Sequence, residues 1–201
     1  MTKRYCIKSL YRPRKTYTHF DDSQWEDEWQ LEIYLHALGL MIKHDLKTVI
    51  DIGTGSGYKL VTYLKDYDIT GLELSVNVEL LKKKYPNHKW LESDFSDRND
   101  LSADVVICSD VVEHLVDPDE LLDFIKSIQS KYIIISTPDR GLTYGNIFQK
   151  GFWGPPRNEA HIREWNRKEF NSYISEHFNI IDHRVPNFGQ RTQMIICENK
   201  K

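Results

Sequence analysis

Apolar residues recur at helical spacing between residues 26 and 43, where Trp29, Ile33, Ala37 and Leu40 fall on one face and predict an amphipathic helix. The short apolar run Thr48–Ile52 then predicts a strand, followed by a glycine-rich turn and a helix near 57–66. Ile69–Leu74 and Lys89–Glu92 read as the second and third strands, with a Leu/Lys-rich helix between them. The fourth, Ala103–Ser109, is continuously apolar, as expected of a strand covered on both faces. Asp117-Pro118-Asp119-Glu120 opens a helix: Asp117 can cap it, proline suits the first turn, and acids suit the positive end of the dipole. Tyr132–Ser136 is a fifth strand, and residues 137–165 read as irregular. Asn166-Arg-Lys-Glu169 is a capping box that starts another helix. The last two strands, near 178–185 and 191–197, are separated by Pro186–Gly189 and should pair as a hairpin. Alternating strands and helices imply an α/β fold with a mostly parallel sheet and an antiparallel last strand.

Length and composition sharpen this. The chain of 201 residues suits one α/β domain (1–201), with 1–45 as an N-terminal arm and helix and 137–165 as an acceptor-side loop. The net charge of −3 gives no overall field that would draw the chain to nucleic acid or an anionic membrane. The first fifteen residues nevertheless carry Lys3, Arg4, Lys8, Arg12, Arg14 and Lys15 and no acid. They read as a solvated arm, with a phosphate-bearing or polyanionic partner as the sharper alternative. Cys6, Cys108 and Cys197 show no CxxC spacing, which argues against a disulfide framework or zinc site and suits a reducing compartment. No apolar run is long enough for a membrane span and no apolar signal core is present, so the expected location is cytoplasmic (host cytoplasm if the chain is viral).

The stretch Val49-Ile-Asp-Ile-Gly-Thr-Gly-Ser-Gly57 carries the most chemistry. A dinucleotide fingerprint needs a third glycine where Tyr58 stands, which counts against NAD. A glycine turn after the first strand lets backbone approach a ligand closely. Asp51 at the strand end suits an amine or sulfonium better than a pyrophosphate. Glu73, at the end of the second strand, is placed to accept hydrogen bonds from ribose hydroxyls.

The glycine stretch resembles motif I of S-adenosylmethionine-dependent methyltransferases. The element order resembles their Rossmann-like, seven-stranded class I fold, with helices on both faces. The resemblance implies S-adenosyl-L-methionine as cofactor. Asp51, Gly53, Thr54 and Gly55 would line its methionine and ribose side, and Glu73 and Leu74 its ribose. Asp94 and Phe95 would hold the adenine, with Ser109 beside the methionine. Tyr17, Phe20, Trp29 and Gln30 are candidates to close over it.

Asp110-Val-Val-Glu113-His114-Leu-Val-Asp-Pro118 resembles the E-H-L-x-D-P stretch of the type 11, 12 and 23 methyltransferase families. Histidine suits proton acceptance, its unperturbed pKa being about 6.5. With His161, the stretch is also similar to the metal site of small-RNA 3′-terminal ribose 2′-O-methyltransferases. That likeness implies Asp110, Glu113, His114 and His161 as catalytic residues holding Mg²⁺ or Mn²⁺. The first acid is Asp where that family has Glu, and its RNA-binding companion domain is absent. A metal-free His114 or His161 base is the alternative.

The run Trp153-Gly-Pro-Pro-Arg-Asn-Glu-Ala-His-Ile-Arg-Glu-Trp165 resembles methyltransferases encoded with bacterial surface-polysaccharide genes. It is also similar to the methyltransferase domain of a chlorovirus glycan-assembling protein that modifies a terminal rhamnose. The implied activity is O-methylation of a sugar hydroxyl, such as rhamnose 2-OH, on a glycan or glycolipid-precursor acceptor. The chain would then be free-standing or part of a larger glycan-assembling protein, without a stable nucleic-acid partner. Tyr144, Phe148, Phe152, Trp153 and Trp165 would anchor the long loop or form platforms for a sugar ring. Arg157 and Arg163 would orient acceptor or loop, or form an ordinary surface pair. RNA ribose 2′-O-methylation, a quinone or phenol acceptor, and a non-catalytic cofactor-binding module are the competing functions.

Overall fold

A computed structural model describes residues 3–16, 18, 21–96 and 100–200. Tyr17 and Phe20, candidates to cover the cofactor, lie outside the described residues. The elements run α1 (Leu31–Lys43), β1 (Thr48–Ile52), α2 (Tyr58–Tyr63), β2 (Asp68–Glu73), α3 (Ser75–Lys84), β3 (Lys89–Glu92) and β4 (Ser102–Ser109). A 3₁₀ turn (Val112–His114) leads to α4 (Pro118–Ser127), β5 (Gln129–Pro138), α5 (Arg140–Tyr144), α6 (Arg167–His177), β6 (Phe178–Asn187) and β7 (Thr192–Asn199).

The strands form a seven-stranded sheet in the order β3-β2-β1-β4-β5-β7-β6. All neighbours are parallel except β5/β7 and β6/β7. The chain winds outward from β1 through β2 to β3, then returns to lay β4 on the other side of β1. This reversal opens a crevice beyond the carboxyl ends of β1 and β4, where open α/β sheets bind ligands.

Side chains alternate along each strand and so feed two cores. Ile50, Ile52, Val106, Cys108 and Ile133 pack with α4 and α6 through Leu121, Phe124, Phe170 and Tyr173. Val49, Val105, Ile107 and Ile134 pack on the opposite face with Ile33, Ala37, Met41, Leu60 and Leu81.

Local signals account for the boundaries. Asp117 accepts a hydrogen bond from the Asp119 amide, and Pro118 opens α4. Both bonds of the Asn166/Glu169 capping box are made, at 3.0 and 3.1 Å. Three expectations are corrected. The first helix begins at Leu31 rather than residue 26, because Gln30 is left-handed (φ 65°) and breaks the run, leaving Trp29 outside it. Residues 137–165 include a short helix, α5, capped by Asp139 through the Gly141 amide at 2.7 Å. Pro186 lies within β6 rather than in the turn; β6 is an edge strand, where a missing N–H costs no ladder bond.

The basic arm keeps Lys3, Arg4, Lys8, Arg12 and Lys15 exposed but is pinned to the body. Ile7 and Tyr11 are buried in the α4/α6 core, and the Arg12 and Arg14 amides donate to the Trp153 and Ile162 carbonyls at 2.8 and 2.7 Å. Four residues apart among cations, Ile7 and Tyr11 supply the apolar contacts that pin the strap down. Among the described residues, no helix is long and apolar enough to cross a membrane.

Candidate active site

The β1–α2 turn builds one wall of the crevice. Gly53 and Gly55 are left-handed, at φ 71° and 56°. A Cβ on Gly53 would come within 2.5 Å of Val111, and one on Gly55 would run into the Asp22 carboxylate. Only glycine satisfies both demands. The adjoining cavity, about 340 Å³, is lined by Gly53, Glu73, Leu74, Asp94, Phe95 and Ser109, with Asp22, Asp110 and His114 at one end.

Glu73 accepts from the Gly55 and Leu74 amides at 3.0 and 2.9 Å. Those two bonds aim the carboxylate and leave it lone pairs for further donors. Burial raises its pKa. Asp94 accepts from the Ser96 amide and hydroxyl, which lowers its pKa. The Ser109 hydroxyl lies 3.1 Å from both Gln30 Oε1 and Ser136 Oγ. Two aimed carboxylates beside a glycine-lined wall fit a nucleoside with a vicinal diol and an amine.

Asp51 and Thr54 stand behind this wall, absent from the lining of the crevice. Side-chain alternation along β1 turns Asp51 toward α1, where one oxygen accepts from Tyr34 OH at 3.0 Å and from Thr54 Oγ1 at 2.8 Å. Its other oxygen is buried without a partner, and burial pushes the carboxyl pKa up to about 6.

At the end of β4 the chain turns through Asp110, left-handed at φ 52°, into the 3₁₀ turn. Asp110 Oδ1 accepts from Ser136 Oγ at 2.6 Å, and burial raises its pKa. Glu113 is 0% exposed. Thr137 Oγ1 donates to its Oε2 at 3.0 Å, while Oε1 has no partner. Burial first, and the Asp110 charge second, raise the Glu113 pKa well above the carboxylate range. The Glu113 carbonyl accepts from the Ile162 amide at 2.8 Å, which ties the late loop to the 3₁₀ turn.

His161 arrives on that loop. Ring centroids of His114 and His161 lie 4.9 Å apart at 88°. His114 Nδ1 is 3.0 Å from the Ala160 carbonyl, and because a carbonyl only accepts, Nδ1 is the donor. His161 Nδ1 lies 2.7 Å from Glu164 Oε1, and its Nε2 faces Asn158 Nδ2 at 2.9 Å. Asn158 Oδ1 already accepts from the Ala160 amide, so Nδ2 is the donor and His161 Nε2 is unprotonated. One ligand atom each from Glu113, His114 and His161 lies within 4.8 Å of the others. A buried carboxylate oxygen without a partner and two imidazole rings, each oriented by an Nδ1 contact to oxygen, fit a divalent cation. Asp110 adjoins the trio, with its carboxylate engaged by Ser136.

A second cleft, about 370 Å³, opens onto Glu113, His114 and His161 from the other side. Trp25, Trp29, Gln30, Lys59, Asn158 and Gln190 contribute to its wall. Trp29 and Gln30 therefore border this cleft, not the cofactor crevice. Asp22, Asp110 and His114 line both spaces and mark where they meet.

Sequence patterns missed several supports. Glu164 stands within the recognised run, and its three-residue spacing from His161 was the available signal. Tyr144 and Trp165 are 1% and 0% exposed, so they anchor the loop and offer no platform; Trp165 stacks on Tyr173 with centroids 5.5 Å apart. Arg163 is buried and donates to the Leu115 and Val116 carbonyls at 2.7 Å, fixing the chain after His114. Arg157 binds Gln149 and the Lys150 carbonyl within the loop.

A family model described as a methyltransferase domain matches residues 18–180. The methyltransferase domain of bacterial CtHen1-C is 25% identical over 86% of this chain and 100% of that chain, with a TM-score of 0.63. An S-adenosylmethionine-dependent methyltransferase from Clostridium acetobutylicum shares the fold at 12% identity, 88% and 94% coverage and TM-score 0.63. So does the magnesium protoporphyrin IX methyltransferase of Synechocystis with bound SAH, at 16% identity, 85% and 84% coverage and TM-score 0.62. No curated protein matches the chain. The family match spans most of the sequence and includes the glycine turn and both walls of the crevice: the chain belongs to the methyltransferase domain family and is a class I S-adenosylmethionine-dependent methyltransferase.

Proposed function

We propose that this methyltransferase transfers its methyl group to a sugar hydroxyl of a glycan or glycolipid precursor, and that Glu113, His114 and His161, with Asp110 beside them, hold Mg²⁺ or Mn²⁺ at the point of transfer. The observation that carries the reading is the junction of the two cavities at Asp110 and His114, with the orphaned Glu113 oxygen next to it. A hydroxyl in the second cleft lies beside that cluster, next to the crevice.

Glu73 would accept from the ribose hydroxyls and Asp94 from the adenine amine, while the Gly53 turn lies against the methionine portion. The carboxylates of Asp22 and Asp110 suit the positive sulfonium. In the transfer, the acceptor O–C bond forms as the sulfonium S–C bond breaks, leaving a neutral thioether, and the hydroxyl proton passes to the carboxylate of Asp110 or Glu113. Holding the oxygen in line with the methyl supplies much of the rate. A sugar hydroxyl is a weak acid, and a bound divalent cation would supply the polarisation that eases its deprotonation. For His161 to serve as a ligand, Asn158 Nδ2 must leave Nε2.

Labelled S-adenosylmethionine, incubated with a panel of oligosaccharides and RNA before and after chelation, tests the reading. Transfer to a vicinal-diol sugar, lost on chelation and restored by Mg²⁺ or Mn²⁺, is the expected result. Turnover indifferent to chelation removes the metal and leaves a histidine base. Transfer to RNA alone establishes the ribose 2′-hydroxyl instead, and cofactor uptake without any turnover establishes a binding module.

A further inference from the structure

We infer that the acceptor is seated in the second cleft against Trp25 and Trp29, and that the carboxylates of this cleft select an uncharged polyol over a polyanionic chain. The inference rests on the sugar reading above and adds where the sugar lies and what excludes its competitors.

Position comes first. The cleft is the space that faces Glu113, His114 and His161 and also touches the cofactor crevice through Asp22, Asp110 and His114. An oxygen seated in it lies beside the residues shared with the crevice. Two large aromatic side chains on its wall are about half exposed: Trp25 is 53% and Trp29 49% exposed. Exposing that much indole leaves a flat apolar surface with a polar edge, suited to the C–H face of a sugar ring.

Both residues sit on backbone that is tied to the body of the protein. The Trp25 carbonyl accepts from Ser56 Oγ, beside the glycine turn. The Trp29 amide donates to Asp27 Oδ1 at 2.9 Å, and the next amide, Gln30, donates to Gln190 Oε1 at 2.9 Å. Gln30, Asn158 and Gln190 add amide groups that can read hydroxyls. The loop aromatics do not compete for this role. Tyr144 and Trp165 are buried, and Phe148, although exposed, is not part of the cleft wall.

Charge then decides between acceptors of similar diol chemistry. Outside the cluster assigned to the cation, Asp22 and Asp27 line the cleft, and Lys59 is the one lysine or arginine among its described residues. Lys59 Nζ is itself 4.0 Å from Asp27 and lies over the Tyr34 ring at 5.9 Å. A phosphodiester chain laid here would meet carboxylates where phosphate-binding clefts present Arg and Lys. A neutral glycan meets no such repulsion.

The probes are methyl α-L-rhamnopyranoside, a neutral vicinal-diol glycoside, and a short ribo-oligonucleotide ending in the same diol. Saturation-transfer NMR on SAH-loaded protein should show contact with the glycoside. Trp29→Ala and Trp25→Ala should each weaken its binding by roughly tenfold or more, while Trp29→Phe recovers part of it and Phe148→Ala changes nothing. SAH affinity, measured by calorimetry, should stay at the wild-type value in all four and shows that each is folded. Asp27→Lys should raise oligonucleotide affinity at low salt without improving the glycoside. Glycoside binding that survives both tryptophan-to-alanine substitutions overturns the seat and leaves the sugar reading standing. Wild-type protein that binds and methylates the oligonucleotide but shows no contact with the glycoside overturns both.

Discussion

Arg140 should be the most costly single side chain to remove outside the site. It is fully buried at the start of α5, with Nη2 2.6 Å from Glu169 Oε2 and Nη1 3.0 Å from the Glu164 carbonyl. Its guanidinium lies over the Tyr11 ring at 4.5 Å and the Phe152 ring at 5.4 Å. One side chain thus joins the arm, the late loop and α6. Arg140→Met keeps apolar volume but strands the Glu169 carboxylate in the interior. Breaking a buried pair from one side costs about 3–5 kcal/mol. Glu169 still accepts from the Lys8 and Asn166 amides, both at 3.1 Å, which puts the loss near the lower bound, about 3 kcal/mol. For a domain of this size that is a fall in Tm of about 6–12 °C. Urea and thermal unfolding of Arg140→Met, Glu169→Gln and the double variant form the assay. The double variant should lose less than the two singles added together, by about 1–3 kcal/mol. Strict additivity, or an Arg140→Met melt within about 2 °C of wild type, would refute the view that this pair locks the loop in place.

Two further outcomes follow from the buried carboxylates. Glu164→Gln keeps the shape beside His161 Nδ1 but removes the charge; Mn²⁺ affinity of SAH-loaded protein should fall about 10–100-fold with SAH affinity unchanged, and equal Mn²⁺ titrations for both proteins would rule out the metal-supporting role. Asp51 has its pKa raised from 3.8 to about 6 by burial, so the folded state holds its proton more tightly than the unfolded chain does. The stability it contributes is complete below about pH 3.8 and is lost as pH rises through about 6, roughly 3 kcal/mol at 1.36 kcal/mol per unit. Measured as the difference in unfolding free energy between wild type and Asp51→Asn, this loss should appear between pH 4 and 7; a pH-independent difference would show that the carboxyl is not perturbed.

Much of this protein is written locally. Ile50 and Val49 feed opposite cores because strand side chains alternate, and β4 is apolar over Val105–Cys108 because helices cover both of its faces there. Asp117 and Asn166 start their helices through bonds made within four residues, and Gly53 and Gly55 mark a turn that needs left-handed backbone. Such features depend on short-range sterics and hydrogen bonding, so the order of elements, the glycine turn and the acids at the strand ends could all be read from the chain.

Long-range packing decided the rest. Which face of β1 Asp51 occupies depends on where α1 and Tyr34 pack, so that acid lies behind the glycine wall. Gln30 delays the start of α1 through a backbone conformation that apolar spacing does not encode, and this leaves Trp29 outside the helix and on the cleft. The basic arm is a strap because the hydrophobic burial of Ile7 and Tyr11 outweighs its charge in choosing its place. His161 reaches His114 through bonds from the late loop to the 3₁₀ turn, such as Ile162 to the Glu113 carbonyl, and Glu164 fixes its ring from within the loop. The sequence by itself therefore determined the scaffold and the residue types of the site; the tertiary structure decided which of them face one another, because those contacts join segments far apart in the chain.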